Sequence, residues 1–124
     1  MTMKHINPEL KMGAKKYLQQ ASRLDALINA KCDQIDRLSD MATKITTSLS
    51  AVPGRAKGSQ DKLGDTVAKI ADLQKEVQQG IDQLIALKRD ITRKIDRVRD
   101  NEYKLVLTMR YLNLMTWEQI AVEM

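Results

Sequence analysis

Residues 17–49 read YLQQASRLDALINAKCDQIDRLSDMATKITTSL, and this stretch decides the fold. Tyr17, Ala21, Leu24, Ile28, Lys31, Ile35, Leu38, Ala42, Ile45 and Leu49 follow one another at alternating steps of four and three. All but Lys31 are apolar. A row this long puts one continuous apolar stripe on a helix and marks a coiled-coil seam rather than chance amphipathicity. Residues 63–98, LGDTVAKIADLQKEVQQGIDQLIALKRDITRKIDRV, carry a second row of the same kind. Its seam is Leu63, Val67, Ile70, Gln74, Val77, Ile81, Leu84, Lys88, Ile91, Ile95 and Val98.

Between the two rows lie Val52-Pro53-Gly54 and Gly58-Ser59, strong helix breakers, with Arg55 and Lys57 among them. The first helix is therefore expected to end near Ser50 and the second to begin near Ser59 to Asp61. Such a linker lets the helices fold back antiparallel. Leu49 would then lie near Leu63, and Tyr17 near Ile95. Asn7 as cap and Pro8 in the first turn suit the start of the first helix, with Met1 to Asn7 as a short polar tail. Gly64 and Gly80 weaken the second helix, each by about 1 kcal/mol relative to alanine, and packing must offset this.

Within the seams, Lys31, Gln74 and Lys88 are polar. They either fix register or lay their stems along the seam while their heads reach water, and the second reading is preferred. Leu27, Leu73, Ile85 and Leu87 lie beside the seam and widen it. That surplus implies a second layer, either a homodimeric four-helix bundle, the preferred reading, or docking of the C-terminal segment.

Composition agrees with helices. The chain has 124 residues, no Phe, one Trp, three Tyr and 30% charged residues, a mixture suited to long amphipathic helices and poor in core aromatics. The expected fold is thus all-α: a helical hairpin over residues 1–99, followed by short helices over residues 100–124. Cys32 is the single cysteine, which excludes an intrachain disulfide and suits a reducing cytoplasm. No apolar run reaches membrane-spanning length and no signal-peptide core is visible, so no membrane partner is expected.

Past the hairpin, Asp100-Asn101 can cap a third helix running from about Glu102 to Leu112. Tyr103, Leu107 and Met109 to Tyr111 are its expected apolar contacts. Asn113-Leu114-Met115 breaks it. Thr116 followed by Gln119 makes a capping box, in which each side chain satisfies a backbone N–H at the other's position. A fourth helix then opens with Trp117, Ile120 and Ala121. Trp117 is read as a core anchor rather than a base-stacking residue.

The strings LVLTMRYL, residues 105–112, and MTWEQIA, residues 115–121, resemble the start of a sigma-70 region-4-type helix-turn-helix. In that family an Arg-Tyr helix precedes a short turn and a Thr- or Ser-capped helix of the form Thr-x-x-x-Ile-Ala. The whole arrangement is similar to an uncharacterised family of phage and prophage proteins of Gram-positive bacteria. Those proteins pair a long helical N-terminal part with such a motif and are taken to regulate phage transcription. The motif is incomplete at Met124, before the recognition helix that would read base edges. The resemblance implies DNA as a partner once the motif is complete, with RNA polymerase or another protein as a further partner.

Charge points the same way. The chain carries a formal +5, and between Lys88 and Arg110 eight basic residues face four acidic ones. Arg93, Lys94, Arg97, Arg99 and Arg110 are the candidate phosphate contacts. The competing reading is a solvated face with intrahelical pairs such as Asp90 with Lys94. Catalysis is not expected: the single His, His5, and Cys32 are far apart in sequence, and no cofactor or metal motif is present. Two functions remain: a phage-derived transcription regulator or its oligomerisation part, and a structural or adaptor coiled coil that binds a protein and not DNA.

Overall fold

The computed structural model describes residues 13–51 and 56–124, with the side chains of all of these except 49–51, 56, 57 and 59. The expected cap at Asn7-Pro8, the turn at Val52-Pro53-Gly54 with Arg55, and the Leu49 side chain lie outside them. Two long helices, α1 (Ala14–Ala51) and α2 (Ala56–Asp96), pack against each other. Short elements follow: α3 (Asn101–Leu107), a π-helical turn (Thr108–Leu112) and α4 (Trp117–Glu123). No strand occurs among the described residues, and no helix there is long and apolar enough to cross a membrane. Helix α2 starts at Ala56, a few residues earlier than expected.

Chain contacts divide the molecule into two compact units, Ala26–Asp82 and Met1–Asp25 with Gln83–Met124. In the first, Gly80 lies under Ile28, and Lys31 Nζ reaches Glu76 Oε1 at 3.8 Å. Lys31 thus does as its long stem allows: it is half-buried while its head finds a carboxylate. In the second unit, Ala21, Ile91 and Ile95 form the core. Tyr17, Leu84, Leu87, Leu107 and Leu114 pack around them, so the C-terminal segment docks here. Within this unit Tyr17 is also pinned by polar contacts. Its hydroxyl donates to Asp90, and Lys94 pairs with Asp90 at 3.0 Å while its Nζ sits 3.9 Å above the Tyr17 ring. The pairing of Asp90 with Lys94 is the one expected from their spacing.

The α1 row is as read. Every described seam position from Tyr17 to Ile45, including Leu24, Ile28, Ile35 and Leu38, is buried or half-buried. The α2 row needs correction. Leu63, Ile70, Val77, Leu84, Ile91 and Ile95 do face inward, but Val67, Gln74 and Ile81 are exposed. Their places are taken by Thr66, Leu73 and Gly80. The helix is turned so that Leu73 and Leu87 are covered while the Gln74 head stays in water and Lys88 is half-buried. Burying the Gln74 amide without a partner would offset much of what burying Val67 and Ile81 gains. Thr66 and Gly80 add little cost. Thr66 Oγ1 donates to the Lys62 carbonyl at 2.8 Å, and Gly80 removes the side chain that would hold the helices apart. Of the residues expected to widen the seam, Leu73 and Leu87 lie in it, whereas Leu27 and Ile85 are exposed.

Candidate nucleic-acid interface

The C-terminal elements are set by caps. Asp100 stands in extended backbone before α3, and its Oδ1 accepts from the N–H of Glu102 at 2.8 Å and of Tyr103 at 3.1 Å. Two otherwise orphaned donors of the first turn are thereby satisfied. After α3 the chain widens into the π turn. Asn113 N–H donates to the Thr108 carbonyl at 3.0 Å, and Met115 N–H donates to the Met109 carbonyl at 3.0 Å. Between them Leu114 adopts a left-handed conformation, φ 56°. A leucine there is strained, but its side chain packs on the core of Ala21, Ile91 and Ile95, and that burial compensates.

The expected capping box is present. Thr116 Oγ1 accepts from Gln119 N–H at 3.1 Å, and Gln119 Oε1 accepts from Thr116 N–H at 2.9 Å. Ile120 is buried behind it. Thr116→Ala should therefore cost about 1 kcal/mol, read as faster amide exchange in α4. Unchanged exchange of the Gln119 amide would show that the box does not hold the helix.

Arg110 joins the two sides of the turn. Its guanidinium donates to the Met115 carbonyl at 2.9 Å and lies 4.6 Å from the centre of the Trp117 ring. Trp117 is 52% exposed, so it is a platform under Arg110 and not the core anchor expected from its type. Tyr103, expected among the apolar contacts of the third helix, is exposed, whereas Met109 and Ile120 are buried.

The candidate phosphate contacts fall into two groups. Arg93, Arg97 and Arg99 are exposed near the end of α2. Lys94 is held by Asp90 and Tyr17, and Arg110 by Met115 and Trp117. The tie of Arg110 to Trp117 was not readable in sequence, because it depends on the turn between them. Among the described residues no group of three His, Cys, Asp or Glu could hold a metal ion. Cys32 is a half-buried free thiol, and His5 lies outside the described residues.

The fold and these caps define an all-helical protein, two long packed helices ending in two short capped ones. The chain belongs to the DUF1492 family, described as a protein of unknown function, whose family model matches residues 42–124. Neither the curated proteins nor the solved structures contain a match to the chain.

Proposed function

We propose that this protein is a cytoplasmic, phage-derived transcription regulator, or the oligomerisation part of one, and that it acts without catalysis. The observation that carries this reading is the pair of capped helices around the Asn113–Met115 turn. Its strings LVLTMRYL and MTWEQIA resemble a sigma-70 region-4 motif, and it belongs to the same compact unit as the exposed Arg93, Arg97 and Arg99. Cations without a partner among the described residues are the ones available to displace counterions from a duplex. Lys94 and Arg110 act by holding the local structure.

The test is a mobility-shift titration of the chain with duplex DNA, together with the Arg93→Gln/Arg97→Gln/Arg99→Gln variant. If all three arginines touch phosphates, raising salt from about 50 to about 200 mM should weaken binding roughly forty-fold. The triple variant should lose most of that dependence. No shift at the lower salt, or a variant that binds as well as the parent, would overturn the reading.

A second reading is an adaptor that binds a protein and not DNA, with RNA polymerase among the candidate partners. Leu27 and Met41 favour it, since both are large apolar side chains left about half in water on α1.

A further inference from the structure

Helix α2 carries an uncharged row outside the buried one. Gly64, Val67, Ala71, Gln74, Gln78, Ile81 and Ile85 follow one another at steps of three and four, and all are exposed. None is charged, in a chain with 30% charged residues. Val67 is 52%, Ile81 36% and Ile85 48% exposed, so three large aliphatic side chains stand in water along one helix face. Scattered exposed leucines need no explanation, but an uncharged row of this regularity does.

We propose that a second copy of this chain covers the row, its α2 running antiparallel to the first about a twofold axis between Gln74 and Gln78. The row is complementary to itself in that register. Val67 meets the second copy's Ile85, and the small Ala71 meets its Ile81, so large and small side chains alternate across the contact. Gln74 meets Gln78. In the free chain Gln78 Nε2 donates to Asp82 Oδ1 at 3.1 Å, which leaves its amide oxygen to accept from Gln74. The ends match in charge. Lys88 and Arg89 come beside Asp61 and Asp65 of the other copy, and the symmetry repeats this at the far end.

Other arrangements fit worse. A slip by one heptad sets Gln74 or Gln78 against isoleucine or valine, so the two glutamines fix the register. A parallel pair puts Lys88 on Lys88 and leaves a gap where Gly64 faces Gly64. The antiparallel pair has one repulsive contact, Lys75 with itself near the axis. At 1.5 Å per residue, residues 64–85 span about 30 Å, which makes a contact smaller than the roughly 800 Å² per partner of a standard interface. The dimer is accordingly reversible and weak, with a dissociation constant on the order of micromolar.

This proposal does not depend on the DNA reading, and its test contains no DNA. Sedimentation of the whole chain from about 1 to about 100 µM should show monomer passing to dimer. Val67→Asp and Ile85→Asp, each at a side chain already half in water, should leave helicity by circular dichroism unchanged. Each should weaken the dimer at least about tenfold, because a carboxylate would be desolvated in the contact. Lys75→Ala should tighten it. Orientation is read in a Cys32→Ser background: Val67→Cys chains mixed with Ile85→Cys chains should form a disulfide on oxidation, and neither should cross-link alone. A monomer at every concentration, an unweakened Val67→Asp dimer, or cross-linking of each cysteine chain to itself would overturn the proposal.

Discussion

Ile91→Ala should lower the free energy of unfolding by about 3 to 4 kcal/mol, the largest loss expected from any single truncation in this chain. Ile91 is 0% exposed and is the largest fully buried side chain among the described residues. It sits with Ala21 and Ile95 at the point where Leu107, Leu112 and Leu114 come down from the C-terminal elements. Removing its outer carbons forfeits their transfer free energy and leaves a cavity that three elements line. Helices packed from several sides cannot all move in to fill it. Ile91→Val, which removes one methylene, should cost only about 1 kcal/mol. The measurement is a urea titration. The midpoint should fall with the slope unchanged, since the surface exposed on unfolding is nearly the same. A loss under about 1 kcal/mol for the alanine variant would mean that the C-terminal segment is not held by this cluster. The strained Leu114 would then lack the burial that compensates for its backbone.

In α1 the sequence left one good choice. The rival row Leu18, Ala21, Asp25, Ile28, Cys32, Ile35, Ser39 and Ala42 would put Asp25 and Ser39 in the seam, whereas the row from Tyr17 to Ile45 carries a single polar residue, Lys31, whose stem can pack. Helix α2 offered two. Leu63, Ile70, Val77, Leu84 and Ile91 are common to both, and they can be completed by Val67, Gln74, Ile81 and Lys88 or by Thr66, Leu73, Gly80 and Leu87. Counting apolar residues separates these sets poorly, since each contains two large ones. What separates them is the cost of the remainder. A glutamine resists burial, while a threonine bonded to its own helix and a glycine do not. That comparison needs the facing helix, because a glycine counts as a weakness until a side chain such as Ile28 is found above it.

The C-terminal elements show the same division. The capping box at Thr116 and Gln119 and the cap at Asp100 were legible, because a cap depends on residues two or three positions apart. The role of Trp117 was not. Its residue type favours burial, and the π turn and the left-handed Leu114 that bring it under Arg110 have no local signature. Likewise Lys94 could be paired with Asp90 from spacing alone, but Tyr17, which completes that cluster, is 73 positions from Asp90 in the chain. Arg93, Arg97 and Arg99 were therefore separable from Lys94 and Arg110 only once the folded chain showed which cations already had partners.

Gly80→Leu is the second large effect and tests the close approach directly. A Cβ at Gly80 would lie 2.9 Å from Ile28 Cγ1, closer than two carbons can rest. Ile28 is buried and β-branched, so it has few rotamers into which to retreat. A leucine at this position must push the helices apart, at about 3 kcal/mol, against a gain of about 1 kcal/mol in helix propensity. The expected net loss is about 2 kcal/mol. Gly64, on the same helix, supplies the control, because a Cβ added there would meet no neighbouring group within 4 Å, and so the substitution carries the propensity gain alone. Gly64→Ala should stabilise the chain by about 1 kcal/mol, whereas Gly80→Ala should give little or none of that gain. Both are read from thermal and urea unfolding at concentrations low enough to keep the chain monomeric. The difference between the two alanine variants cancels propensity and leaves the contact with Ile28. If the two alanines stabilised equally, that contact would be absent, and the choice of Gly80 over Ile81 for the inner row would need another cause.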